Sequence, residues 1–379
     1  MATMSKRERV LAALAGATVD RVPVAFWGHF ASDPHRADDL AAATIEFQQR
    51  FDWDFVKMMP MSVALLIALA LLFAPAVDAQ PWPAKPVKII AVFPPGGSVD
   101  QVARALAQQM SLQTGQSFVV DNRGGASGSI GTAAVAKAEP DGYTLGVVFD
   151  THAVNPSLIP NLPFDTLKDL TPLMLVGTGA MALVANVAQP YKSFKDVVAA
   201  AKAKPGTVAY GTIGAGSLGH LTMAQLGNQL GVEFNHVPYR GGGPLMNDAI
   251  GNQVPLAIGS VFLVSPHVTS GRLRAIAVTS LKPDPSLPGA EPIAAQGVPG
   301  FEAYTWWGVF GPGNIPAPLA KRIYDELTTA INAPAVREKL VAQGIEVSGA
   351  PGSELDALVR KEMARWAKVI KDNNIKSGD

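Results

Sequence analysis

From residue 87 onward the chain alternates short apolar runs with amphipathic stretches. Residues 87–93 (VKIIAVF) read as a strand. Residues 98–114 read as a helix with Val102, Ala103, Leu106 and Met110 on one face, because positions three and four apart align on a helix. Runs at 118–120 and 143–149 read as further strands. The stretch 193–204 is predicted helical, with Ser193 as N-cap and Pro205-Gly206 as the stop. A strand at 208–212 follows, then a helix over 217–230 that ends at Gly231. Strand-like runs recur at 234–237, 254–258 and 273–279, with a helical pattern at 244–250 between the first two. Long amphipathic patterns at 316–331 and 353–372 close the chain. This alternation predicts an α/β architecture with largely parallel sheets.

One run breaks the rhythm. Residues 61–76 (MSVALLIALALLFAPA) are continuously apolar and lead into Val77-Asp78-Ala79 and Gln80. A short hydrophobic core followed by small residues is the pattern of a cleavable signal peptide. About 14 strongly apolar residues fall short of the roughly 20 that cross a bilayer, and Pro75 closes the run. A buried core helix fits the length but leaves the Ala-x-x-Val-x-Ala ending unexplained. A signal peptide belongs at an N-terminus, yet sixty residues precede this one, so the chain divides into 1–60 and about 80–379.

Composition narrows the chemistry. The 379 residues suffice for two or three domains. Lys plus Arg equals Asp plus Glu, and no run of like charge offers a nucleic-acid footprint, so nucleic acid is not an expected partner. Without cysteine there are no disulfides, thiolate metal sites or cysteine nucleophiles. The six histidines have no metal-ligand spacing, and neither metal nor cofactor is indicated.

Two glycine-rich turns carry the chemistry. The first is Pro94-Pro95-Gly96-Gly97-Ser98-Val99-Asp100, between a predicted strand and helix. The second, from Gly211 through Thr212, Gly214, Gly216 and Ser217 to His220, has the same setting. Glycine lets backbone approach a ligand closely, and the first amides of a helix lack intrahelical partners, so both turns suit an anion. The alternative is ordinary helix capping by Ser98 and Ser217. The second turn also fits Gly-x-Gly-x-x-Gly, but no acidic residue follows at the dinucleotide spacing. Ala215-Gly216-Ser217-Leu218-Gly219 approximates a nucleophile elbow, so a serine hydrolase using Ser217 is the enzymatic alternative.

The stretches WPAKPVKIIAVFPPGGSVDQVAR, VVDNRGGASGSIGTAAVAKAEPDGYTL, HAVNPSLIPNLPFDTLKDLTP, HVPYRGGGPLMNDAIGNQV and WWGVFGPGNIPAPLAKRI occur in that order. Over about 80–379 the chain resembles the Bug-type substrate-binding proteins of tripartite tricarboxylate transporters. The resemblance implies an α/β, two-lobe periplasmic-binding-protein-like fold with a ligand cleft between the lobes, joined by two crossing strands. Lobe one is then expected over 85–184 and 310–379, and lobe two over 185–309. A small organic acid is the expected ligand, held by Pro95, Gly96, Gly97 and Ser98 and by Thr212, Gly214, Gly216 and Ser217, with Asp100 near its other end. Tyr239, Arg240 and 241–243 form a third candidate wall; His152 and Asn155 are further candidates. Trp306 and Trp307 belong either to the cleft or to the core. No catalysis is implied. The expected partners are the ligand and the transporter's membrane components, the expected state a monomer, and the expected location of the binding module the periplasm.

Residues 5–59 differ. SKRERVLAALAGATVDRVPVAFWGHF and AAATIEFQQRFDWDFVKMMP are similar to the N-terminal helix and first barrel strand of the uroporphyrinogen decarboxylase family. About 55 residues cannot close a (β/α)₈ barrel, which takes roughly 250. The arginine-rich stretch expected after that strand is replaced by Gly28-His29-Phe30, so decarboxylase activity is not supported. A partial, non-homologous N-terminal segment is therefore expected ahead of a binding protein whose own start lies near Met58, Met59 or Met61, and export of the full-length chain is left open.

Overall fold

One long strand belongs to two sheet systems. The computed structural model describes residues 82–375 and two short strands before them, β1 (Ala25–Trp27) and β2 (Phe55–Lys57). The chain separates into two compact units, 1–80 and 81–379. In the first, β1 and β2 pair in parallel. The rest of that unit, including the signal-like run 61–76 and Gly28-His29-Phe30, lies outside the described residues.

In the second unit, β3 (Val87–Ala91) pairs in parallel with β4 (Phe118–Asn122) and β5 (Thr144–Phe149). Next to β5 runs β11 (Tyr304–Pro312), antiparallel, and next to β11 the 17-residue β6 (Leu170–Asn186). The short β12 (Glu346–Pro351) also pairs with β6. The second system contains β9 (Leu256–Ser260), β7 (Ala209–Thr212) and β8 (Asn235–Pro238), mutually parallel, with β9 and β10 (Leu273–Val278) antiparallel to β6. Strand β6 changes partner within one peptide bond: Ala180 opposes Tyr304, and Met181 opposes Ser260.

The sheets are thus parallel only in their outer strands. Strand–helix–strand units impose parallel pairing there, whereas the strands that link the two halves must run out and back past each other.

The helices follow sequence chemistry. Helix α1 (Ser98–Thr114) buries Val102, Ala103, Leu106 and Met110, the face its periodicity predicts, and stops at Gly115 in the left-handed conformation with φ of 71°. After α2 (Ser129–Ala136) and α3 (Thr151–Leu158), α4 (Phe194–Ala203) begins at Ser193, whose hydroxyl accepts from the Asp196 amide while Asp196 accepts from the Ser193 amide. Helices α5 (Leu218–Leu230), α6 (Gly242–Ile250) and α7 (Val261–Thr269) follow β7, β8 and β9. Helices α8 (Ala317–Asn332), α9 (Pro334–Ala342) and α10 (Gly352–Asp372) end the chain. No helix among the described residues is long and apolar enough to cross a membrane.

Trp306 and Trp307 on β11 are core residues. Both are essentially inaccessible, and the Trp307 ring lies 5.3 Å from Phe149 and 6.0 Å from Phe262, tying one half to the other.

Candidate functional site: a cleft between strand ends

The turns after β3, β4, β7 and β8 converge on one open cleft of about 790 Å³, lined among others by Pro94, Pro95, Ser127, Gly214, Tyr239 and Arg240. Sites in α/β sheets form beyond the carboxyl ends of strands, where connecting turns leave backbone groups exposed. Phe93 and Ile213 also wall a second, much smaller space of about 10 Å³, where Gly97, Ser98 and Gly242 meet Phe149, Met181 and Leu263. That space holds roughly one water-sized group.

The first turn is held from behind by Asp100. Its buried carboxylate accepts from the Gly96 amide (2.9 Å) and the Asn122 side-chain amide (2.9 Å) and pairs with Arg104 Nε at 2.9 Å. Burial alone would push this carboxyl up, but the bonds from Arg104, Gly96 and Asn122 outweigh it and hold it below the ordinary carboxylate value. Gly96 takes φ of 83°, open to glycine and costly for other residues. The N-cap of α1 is Gly97, so no side chain caps the first amides of this helix.

In the second turn most amides already have partners. Gly214 N–H donates to Thr212 Oγ1 (3.2 Å), Gly216 N–H to His220 Nδ1 (3.0 Å) and Ser217 N–H to the Gly214 carbonyl (3.1 Å). Ser217 is the N-cap of α5, its hydroxyl accepting from the His220 amide at 3.4 Å. Thr212 also bonds His236 Nε2 at 2.8 Å, and the His220 and His236 rings stack 3.9 Å apart.

The third turn brings Tyr239, Arg240 and Gly241 to the cleft. Tyr239 donates its amide to the Thr212 carbonyl (2.9 Å) and its hydroxyl to Asp248 (2.9 Å); burial and Asp248 push that hydroxyl up to about 12. Gly241 is the N-cap of α6, again without a side-chain cap, and the first turn of α6 carries no acidic residue.

Sequence reasoning missed the fourth turn, 123–128. Ser127, at φ of 50°, donates its hydroxyl across the cleft to the Ala215 carbonyl at 2.6 Å. The glycine run Gly124-Gly125 between a strand and a helix was the available signal. Asn155 bears on this turn, donating to the Ser127 carbonyl at 3.1 Å. His152 lies in the core, stacked on Phe164 and edge-on to Phe310, and burial drives its imidazole down to about 4. Also unforeseen is Asp150, fully buried and bonded to the Thr305 hydroxyl. Among the described residues no group of three or more potential ligands could hold a metal ion.

Two α/β halves joined through β6 and β11, with glycine-rich turns from both facing one cleft, define the two-lobe fold of solute-binding proteins. The model of the tripartite tricarboxylate transporter family receptor matches residues 102–375, and the chain belongs to that family. BugT of Bordetella pertussis is 35% identical over 316 residues, covering 83% of this chain and 97% of BugT. The solved periplasmic binding protein BugD is 33% identical with a TM-score of 0.75, covering 78% of this chain and 99% of that one. An R. palustris protein solved with adipate is 32% identical with a TM-score of 0.75, at the same coverage.

Proposed function

We propose that residues 81–379 form a receptor that captures a small organic acid in the periplasm, without turning it over, and presents it to the membrane components of a tripartite tricarboxylate transporter. The observation that carries this reading is the meeting of two uncapped helix N-termini. A Cβ built on Gly97 at the head of α1 would lie 3.5 Å from the amide nitrogen of Gly242 at the head of α6. The first amides of both helices lack a side-chain cap and line one space that an anion can enter, with the Asp100 carboxylate already in the first turn of α1.

A similar protein was solved with adipate, a dicarboxylate. In this reading lobe one spans 85–184 and 310–379, lobe two spans 185–309, and the receptor acts as a monomer. Pro95, Gly96, Gly97 and Ser98 face the ligand from one side, the 212–217 turn and Tyr239 from the other. The Ser217 hydroxyl that a hydrolase would use accepts from the His220 amide as a helix cap.

Native mass spectrometry of the purified protein tests the proposal. Release of a small carboxylic acid on activation, or uptake of one from an added mixture, is expected. Hydrolysis of ester substrates that depends on Ser217 would contradict it.

A further inference from the structure

We infer that two stacked histidines, His220 and His236, set the shape of the second glycine-rich turn from behind, and that they do so with His220 Nδ1 unprotonated as an acceptor and His236 Nε2 as a donor. The inference rests on the carboxylate reading above and adds two positioning residues to the same site.

A short arc of this turn reaches the open cleft, where Ile213, Gly214 and Ala215 line the wall. Each foot of the arc is held by one ring. Thr212 Oγ1 stands 2.8 Å from His236 Nε2 at one end, and the Gly216 amide donates to His220 Nδ1 at 3.0 Å at the other. The two rings lie nearly parallel, 6° apart in plane and 3.9 Å between centroids, so both feet rest on one unit. Tyr210 stacks on His236 at 5.2 Å, and the burial of Tyr210, Thr212 and His220 leaves that unit little freedom to move. At the crest of the arc the Ala215 carbonyl accepts from the Ser127 hydroxyl at 2.6 Å. The shape of the arc therefore also decides whether the turn after β4 can reach it across the cleft.

A count of protons assigns the roles. A backbone amide can only donate, so His220 Nδ1 accepts and the ring carries its hydrogen on Nε2. Thr212 has a single hydroxyl proton, directed at the Gly214 carbonyl 3.1 Å away, while its oxygen accepts from the Gly214 amide at 3.2 Å. His236 Nε2 is then the donor to that oxygen. A proton on His220 Nδ1 would set one N–H against another at Gly216. The buried Gly216 amide would lose its acceptor, and the arc one of its feet. Neither histidine needs to touch the acid for this, because each acts through the backbone that it holds.

The test is calorimetry on the full chain with succinate, malate and adipate, the tightest-bound of the three serving as probe. His220→Asn keeps an acceptor at the Nδ1 position, whereas His220→Leu keeps bulk and removes it; His236→Gln and His236→Leu make the same comparison for the Nε2 donor. Each leucine variant should weaken the probe at least about tenfold, while His220→Asn and His236→Gln should bind within about threefold of the parent. Circular dichroism verifies the fold of every variant. In the parent, nuclear magnetic resonance should detect a nitrogen–nitrogen coupling through the hydrogen bond from the Gly216 amide to His220 Nδ1, a readout that stands even where a variant fails to fold. Equal losses in His220→Asn and His220→Leu would assign the effect to packing and overturn the inference. Unchanged affinity in His220→Leu, or a proton found on His220 Nδ1 in the parent, would also overturn it, and all three results leave carboxylate binding intact. Failure of all three acids to bind the parent would instead overturn the underlying reading, and this inference with it.

Discussion

Gly243 sits so close to Pro95 that a Cβ on Gly243 would lie 2.5 Å from the Pro95 carbonyl oxygen. No real Cβ tolerates that approach to backbone, so Gly243 is the residue that lets the turns after β3 and β8 close on each other. Gly243→Ala should force the turns after β3 and β8 apart and weaken carboxylate binding tenfold or more, with little change in unfolding temperature. Calorimetry on the variant and the parent reads the loss directly, and unchanged affinity would contradict it.

Asp100 braces the first turn from behind. Asp100→Ala strands the Gly96 amide, the Asn122 side chain and Arg104, and should cost about 1–3 kcal/mol of stability in urea unfolding. Affinity should fall equally for diacids and monoacids, because the damage reaches the ligand through the turn. The carboxyl is held below its ordinary value, so this stabilisation is complete above the ordinary carboxylate range and fades as pH falls through the lower, folded value.

Asp150 predicts the opposite trend. Burial pushes its carboxyl from 3.8 up to about 7; the Thr305 bond opposes the rise and Glu362 adds to it. A group with a raised folded value contributes stability that is complete below pH 3.8 and is lost as pH climbs through about 7. Two residues on, burial lowers His152 from 6.5 to about 4, so its contribution is lost as pH falls across an overlapping range. The difference between Asp150→Asn and the parent removes the His152 effect. The variant should gain stability relative to the parent between about pH 4 and 7 and hold that gain above, measured by urea unfolding. A pH-independent difference would show that Asp150 does not titrate in this window.

The strand-to-helix turns were legible because glycine runs and flanking periodicity agree at 94–98 and 212–217; Ser217 is the N-cap its position suggests, whereas Gly97 and not Ser98 stands at the N-cap of α1. The connecting strand was not. Strand β6 carries Pro172, Gly177 and Gly179, which read as breaks, yet the glycines are required by neighbours: a Cβ on Gly177 would lie 2.4 Å from the Glu346 carbonyl and one on Gly179 would lie 3.0 Å from the Gly344 carbonyl. Helices α3 and α7 were hidden by Pro156 and Pro266, placed inside them. Ser127 escaped notice because its role depends on Ala215, 88 positions away, which no local pattern reveals. Asp100 was legible as an acid beside the site, but its bonds to Gly96, Asn122 and Arg104 were not legible in the sequence.

The most direct test of the central claim is a calorimetric titration of the full chain with small dicarboxylates, followed by recovery and analysis of the acid. Saturable binding of one acid per chain, at micromolar affinity or better, with the acid recovered unchanged, is the predicted result. Absence of binding by every carboxylate tested, or conversion of the acid to another compound, would contradict the account.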